Sequence, residues 1–403
     1  MEHEKDNRKI VLIVLDSLGI GAAADAANFN DIGAHTFGHI LEETPDLVIP
    51  NMREMGLFEI ESMKSYSYLG KSGKAKIDIR HTAFGRCEEV SRGKDTTTGH
   101  WELMGIKTEI PFNTYPQGFP KEFIEKFQKK IGRKVLGNKV ASGTEIIEVL
   151  GPLHECSGHP IVYTSADSVF QIAANTEVIP PEELYSICET ARELLVGPWA
   201  CGRVIARPYI IQNGKRVRTS DRRDFSVDPP ELTVLDYLKK AGEKVVGVGK
   251  ISDIFKGRGI SASYHITDNM DGIDKTVSAV KEEGRSFVFT NLVDFDSKYG
   301  HRRDAAGYGK AIESFDRRLP EIVKALGNHD ILMLTADHGN DPTFRGTDHT
   351  REYIPLLVYS KLISEQKDLG IRKTFSDIGK TVEEFFCLNT RLPGKSFLKE
   401  LIR

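Results

Sequence analysis

Ile10 to Leu15 is apolar at every position and stops at Asp16-Ser17-Leu18-Gly19. A run with no polar side, rich in β-branched residues and closed by a turn, predicts a strand buried on both faces of a parallel sheet. The pattern returns at Lys244–Val248 before Gly249-Lys250, at Ser286–Val293 before Asp294-Phe295-Asp296, at Ile331–Thr335 before Ala336-Asp337-His338-Gly339, and at Ile354–Tyr359. Between these runs the spacing changes to that of a helix. Leu232, Val234, Leu235 and Leu238 form one stripe. Ile312, Phe315, Leu319, Ile322, Val323 and Leu326 form a second, which Pro320 is expected to kink, and Ile378, Val382, Phe385 and Phe386 form a third. Strand and helix in alternation predict an α/β fold with a doubly wound sheet, whose ligands gather at the carboxyl ends of its strands.

The middle of the chain breaks this rhythm. Pro111, Pro116, Gly118, Pro120 and Gly132 punctuate it, and helical stripes stand apart at Phe123, Ile124, Phe127, Ile131 and at Leu184, Ile187, Cys188, Ala191, Leu195. Short strands are predicted at Pro160–Tyr163 and Gly202–Ala206. The expected organisation is a core domain in two parts, 1–104 and 227–403, with an α+β cap, 105–226, inserted between them and folding over the site.

A length of 403 residues fits two domains better than one, and 39% apolar with 28% charged residues suits a soluble protein with a sizeable core. A net charge of −3 argues against partners recruited by bulk charge, so neither nucleic acid nor a membrane surface is expected. No apolar stretch approaches a membrane span, and the charged stretch Met1–Lys9 does not read as a signal peptide. Cys87, Cys156, Cys188, Cys201 and Cys387 are scattered without a CxxC pair, which points to reduced thiols and a cytoplasmic setting. Small molecules are the expected partners, with no obligate protein partner.

The chemistry gathers where strands end. Asp16, Asp296 with His301, Asp337-His338 and His349 supply three carboxylates and three imidazoles, the number and type that suit two divalent ions. Asp95-Thr96-Thr97-Thr98-Gly99-His100 is a hydroxyl-rich turn that offers a nucleophile near such ions. On residue type alone its three threonines are equivalent, and His100 suits a ligand, a base or a structural role alike. Asp167 ends a strand of the cap, while Arg203, Arg207, Arg218 and Lys250 are cations able to clamp a phosphate. Each also has an ordinary reading, since aspartates cap helices and surface arginines form solvated pairs. Two metals beside a hydroxyl indicate phosphoryl or sulfuryl transfer.

Several strings closely resemble the phosphopentomutase family of the alkaline phosphatase superfamily. They are Lys94–Glu102, Val293–Asp296 through Gly300–Asp304, Thr335–Pro342 and Gly346–Glu352, with Gly249–Ile254 and Asn269–Gly272 besides, so that the likeness runs end to end. It implies an alkaline-phosphatase-like α/β core with an inserted cap. By position, Asp16, Asp337 and His338 would hold one Mn²⁺ and Asp296, His301 and His349 the other, with other divalent ions able to substitute. Thr96 matches the residue phosphorylated in the family, Asp167 an aspartate at the metal site, and Arg203, Arg218 and Lys250 positions that hold the sugar phosphate. The implied reaction, a step of nucleoside catabolism, interconverts ribose or 2-deoxyribose 1-phosphate and 5-phosphate through a 1,5-bisphosphate. Glucose 1,6-bisphosphate or a similar bisphosphate would act as activator. The rivals are a cofactor-independent phosphoglycerate mutase, which typically uses serine and a larger insertion, another phosphosugar mutase, and a metal-dependent phosphatase, phosphodiesterase or sulfatase. A metal-stabilised binding protein would need the ligands without the nucleophile.

Overall fold

A computed structural model of the chain describes residues 7–71, 73–165 and 168–402, so Asp167 lies outside the described residues. These residues form two compact units: Pro111–Asp228, and a core built from the segments before and after it. The core sheet has eight strands in the order Ala262–Tyr264, Lys244–Val248, Ser286–Leu292, Lys9–Leu15, Ile331–Thr335, Ile354–Tyr359, Thr82–Cys87, Lys367–Arg372. The first five are parallel to one another. Lys9–Leu15 lies at the centre with every residue buried, as its all-apolar sequence requires. Leu15 pairs with Leu292 and Val14 with Thr335. This register delivers Asp16, the Asp294–Asp296 turn and Asp337 to the same carboxyl end of the sheet.

One expectation is corrected. Ile354–Tyr359 is antiparallel to both neighbours, Ile331–Thr335 and Thr82–Cys87. A parallel return needs a crossover element, usually a helix. Residues 336–353 contain none and come back to the sheet from the end they left. Three strands had no apolar run to reveal them. Ala262–Tyr264 is three residues long, Lys367–Arg372 is a polar edge strand, and Thr82–Cys87 carries Gly85 and Arg86 within a buried position of the sheet.

Among the predicted helices, Val234–Lys240 starts at a capping box in which Thr233 and Asp236 satisfy each other's backbone. Leu232 therefore falls outside it. Ala305–Ala325 runs through Pro320. A proline frees the carbonyl four residues earlier, here that of Asp316, and Asn51 Nδ2 donates to it at 2.9 Å. Among the described residues no helix is long and apolar enough to cross a membrane.

The inserted unit has its own sheet, Leu136–Val140, Ile161–Thr164, Val169–Asn175, Arg203–Gln212 and Lys215–Arg218 in order, with Arg223–Ser226 also on Arg203–Gln212. Helices Lys121–Ile131 and Pro181–Leu194 bury Phe123, Phe127, Leu184 and Ile187 against Phe170, Ile172 and Val204. A third helix, Gly143–Ser157, was hidden in the sequence because Gly151-Pro152 interrupts its stripe.

Candidate metal centre

Asp16, Asp296 with His301, and Asp337-His338 owe their places to how a strand ends, while His349 lies in the return segment before Ile354–Tyr359. After Leu15 the chain turns sharply, with Ser17 held at φ +69°, a conformation that costs a non-glycine residue energy and concentrates at functional sites. The turn aims the Ser17 amide at Asp337 Oδ1, 3.0 Å away. After Leu292 the chain passes into a wide π-type turn, Phe295–Gly300. A turn of that width closes hydrogen bonds between residues five apart, and the His301 amide indeed donates to the Asp296 carbonyl at 3.0 Å. That geometry puts both side chains on one face, with His301 Nε2 3.2 Å from Asp296 Oδ2.

The remaining distances join these groups into one cluster. His349 Nε2 lies 3.2 Å from His301 Nε2 and 3.6 Å from Asp296 Oδ1. His338 Nε2 lies 3.3 Å from Asp337 Oδ2 and 3.6 Å from Asp16 Oδ1. Donor atoms of Asp16, Asp337 and His338 fall within 4.8 Å of one another, as do those of Asp296, His338 and His349. Among the described residues Asp16 Oδ1 is buried without a hydrogen-bond donor, and Asp337 Oδ2 meets only the imidazoles of His100 and His338. Burial, with the charges of Asp337 and Asp296, pushes the Asp16 carboxyl well above its ordinary range, while Lys250 and Asn291 pull the other way. Burial would raise Asp296 and Asp337 as well. His301 and His349 instead hold Asp296 well below the usual range, and His338 and His100 lower Asp337. Three converging buried carboxylates form an unfavourable arrangement without cations, and their mixture with imidazole fits divalent ions.

The threonine turn meets this cluster as the start of a helix, Thr96–Leu103. Asp95 caps it, accepting from the amides of Thr97 and Thr98 at 3.0 and 3.1 Å. Asp95 also accepts from the Thr98 hydroxyl at 2.6 Å, whereas the Thr96 hydroxyl lies 3.2 Å from His338 Nε2. Gly99 lets the helix approach this closely, since a Cβ there would stand 2.0 Å from the Asp337 carbonyl oxygen. His100 Nδ1 is within 3.1 Å of Asp337 Oδ2 and 2.9 Å of the Thr96 carbonyl. It thus ties nucleophile candidate to ligand candidate.

Sequence reasoning missed the residues that orient the carboxylates. Asn291 Nδ2 donates to Asp16 Oδ2 at 2.9 Å, and Asn340 Nδ2 to Asp296 Oδ1 at 2.8 Å. Tyr308, fully buried, donates to the Asp16 carbonyl at 3.1 Å. Asn291 had a signal, as a polar residue inside an apolar strand; Tyr308 had none. Arg203, Arg207 and Arg218 lie in the inserted unit, on or beside its longest strand.

Asp341, just past the ligand string, anchors the same loop. Burial would raise its pKa, yet His39 and the amides of His35 and Thr343 hold it at about 2, and the Asp341 hydrogen bond raises that of His39. Asp341 therefore stabilises the fold above its ordinary value of 3.8 and loses that contribution as pH falls toward 2. His39 contributes below its ordinary 6.5, and that part is lost as pH rises through its raised value. Urea denaturation should show the advantage of the wild type over Asp341→Asn largest near pH 5. The advantage should shrink by about 1 kcal/mol by about pH 3.

The sheet with its carboxylate–imidazole cluster defines a metalloenzyme, and a family model described as the Metalloenzyme superfamily matches residues 8–390. Phosphopentomutase of Caldanaerobacter subterraneus subsp. tengcongensis is 55% identical over 394 residues, covering 98% of this chain and 98% of that protein. Phosphopentomutase of Alkaliphilus metalliredigens is 52% identical over 394 residues, covering 98% and 99%. The chain belongs to the phosphopentomutase family, and it is accordingly an enzyme of the mutase class. Among solved structures, the PH0037 protein from Pyrococcus horikoshii matches with TM-score 0.46 and 15% identity, over 96% of this chain and 100% of that one.

Proposed function

We propose that the protein interconverts ribose or 2-deoxyribose 1-phosphate and the corresponding 5-phosphate, with Thr96 as the phosphoryl carrier. The observation that carries this reading is the Thr96 hydroxyl, placed at a helix start 3.2 Å from His338, whose ring lies in turn beside the buried carboxylates of Asp16 and Asp337. A phosphoryl group on Thr96 would lie at the N-terminal end of that helix, where the helix dipole favours an anion although Asp95 already takes the Thr97 and Thr98 amides. The pentose monophosphate accepts that group on its free hydroxyl, whose proton leaves as Thr96 Oγ1 is released, and a 1,5-bisphosphate forms. Its other phosphate then returns to Thr96, so the sugar must turn over or rebind between the two transfers. Arg203, Arg218 and Lys250 hold the phosphate that is not reacting, and Asp167 serves at the metal site. Two divalent ions, Mn²⁺ in this reading, would be held by Asp16, Asp337 and His338 and by Asp296, His301 and His349, neutralising the phosphoryl oxygens and lowering the pKa of the attacking hydroxyl. A bisphosphorylated sugar such as glucose 1,6-bisphosphate loads Thr96 initially. The reaction takes place in the cytoplasm.

The test is phosphorus NMR of ribose 1-phosphate incubated with the protein, Mn²⁺ and a trace of glucose 1,6-bisphosphate. Ribose 5-phosphate forming without inorganic phosphate, and only with the primer, is the expected result. Accumulating inorganic phosphate would make the protein a hydrolase.

A further inference from the structure

The sheet of the inserted unit is closed on one side and partly open on the other. Val162, Phe170, Ile172, Val204 and Ala206 alternate onto the closed face, in one cluster with Phe123, Phe127, Leu184 and Ile187. On the opposite face Ile161, Tyr163, Ala173 and Tyr209 pack with Ile146 and Ile147 of the Gly143–Ser157 helix. Pairing register brings a different population to the remainder of that face. Arg203, Ile205 and Arg207 alternate along their strand, Gln171 stands opposite both Tyr163 and Ile205, Asp224 flanks Ile205 from the other side, and Arg218 pairs with Tyr209.

The charges there do not cancel. Arg222 is bound to Asp224 by two contacts of 2.7 Å, and the same carboxylate lies 3.8 Å from Arg203. Arg207 makes a single hydrogen bond among the described residues, from Nε to Gln171 Oε1 at 3.2 Å. Arg218 Nη2 donates to the Tyr163 hydroxyl at 3.3 Å, while its buried Nε has no hydrogen-bond partner among the described residues. Burial, reinforced by the neighbouring Arg222 and Arg218, pushes Arg207 down to about 10. The helix above begins with Gly143, where a Cβ would stand 1.6 Å from Arg218 Nη2. Any larger residue would displace that guanidinium.

We propose that Arg207, tethered by Gln171, binds the phosphate of the sugar phosphate together with Arg218. This rests on the mutase reading and adds two residues to it: Arg207 as a direct phosphate ligand and Gln171 as its positioning residue. A guanidinium secured at Nε alone presents its two Nη groups as a preformed fork, the geometry that matches two phosphate oxygens. Crowding of Arg207 by Arg222 and Arg218, which Asp224 offsets in part, is relieved further when an anion enters. The Gln171 tether is neutral and so leaves that charge for the ligand.

The test measures ribose 5-phosphate isomerisation by full-length variants, with melting temperatures alongside. Arg207→Ala should raise KM about 10- to 100-fold, the scale of a lost charge-assisted contact, with kcat within about threefold and an unchanged melting temperature. Gln171→Ala should raise KM by a smaller factor in the same direction. Unchanged KM in Arg207→Ala, or a lower melting temperature with unchanged KM, would overturn the assignment. If Arg207→Ala does not fold, Arg207→Lys and Gln171→Ala decide, and unchanged KM in both overturns it equally. An inactive wild type would contradict the mutase reading instead. Calorimetric binding of ribose 5-phosphate to wild type and Arg207→Ala would then still show whether Arg207 holds the phosphate.

Discussion

Asp337→Ala should lower the metal content of the purified protein and reduce isomerisation on the order of 10³-fold or more, the scale of losing fixed electrostatic stabilisation at a reacting centre. Asp337 has three neighbours that a distant acidic residue would lack. Its Oδ1 accepts the Ser17 amide at 3.0 Å, and its Oδ2 lies 3.1 Å from His100 and 3.3 Å from His338. Losing the carboxylate therefore removes a donor and loosens the two imidazoles that line the Thr96 side of the cluster. Asp337→Asn separates these effects, because its amide oxygen can still accept from Ser17 while the charge is gone. It should fold like the wild type and remain deficient in metal. Full activity with unchanged metal stoichiometry in Asp337→Ala would remove Asp337 from the ligand set.

Arg351→Ala should destabilise the core by about 3–5 kcal/mol in urea denaturation, the cost of stripping one partner from a buried ion pair. The side chain is only 1% exposed. One Nη group donates to Glu89 at 2.5 Å and to the Gly93 carbonyl at 2.8 Å; the other donates to Asp25 at 2.9 Å and to the Glu89 carbonyl at 2.7 Å. Its own amide is fixed by Asp31 at 2.8 Å, and Lys94 reaches the same carboxylate at 2.9 Å. One arginine thus ties together the segment before Thr96, the loop around Asp25 to Asp31, and the segment after His349. Without it Glu89 would remain buried and unpaired, and burial already pushes that carboxyl well up. Arg351→Lys keeps the charge but not the two-sided fork, and should recover only part of the loss. A cost below about 1 kcal/mol for Arg351→Ala, the level of a surface pair, would show that these loops hold together without it.

The legible part of the fold was the part whose physics is local. Lys9–Leu15, Ser286–Leu292 and Ile331–Thr335 are buried on both faces, so their sequences are apolar throughout and their ends stand out. Asp16, Asp296, Asp337 and His338 were visible because each directly follows such a run, and the register that aligns those runs gathers the side chains. The direction of Ile354–Tyr359 was not legible, because an apolar strand reads the same parallel or antiparallel; only the helix-free return from residue 336 to 353 decides it. Lys367–Arg372 escaped notice because an edge strand needs no continuous apolar run. The three threonines were equivalent in sequence and are distinct in structure, Thr96 facing His338 and Thr98 engaged by Asp95. Asn291, Asn340 and Tyr308 act by where they point, which residue type alone does not reveal.

The central claim is that Thr96 carries the phosphoryl group, and the most direct measurement is the site of phosphorylation. The protein would be incubated with Mn²⁺ and glucose 1,6-bisphosphate, quenched in acid, digested and sequenced by tandem mass spectrometry. The predicted result is a single phosphate on Thr96, retained in Thr97→Ala and Thr98→Ala and absent from Thr96→Ala, which also fails to isomerise ribose 1-phosphate. Phosphate on another residue, or normal isomerisation by Thr96→Ala, would contradict it.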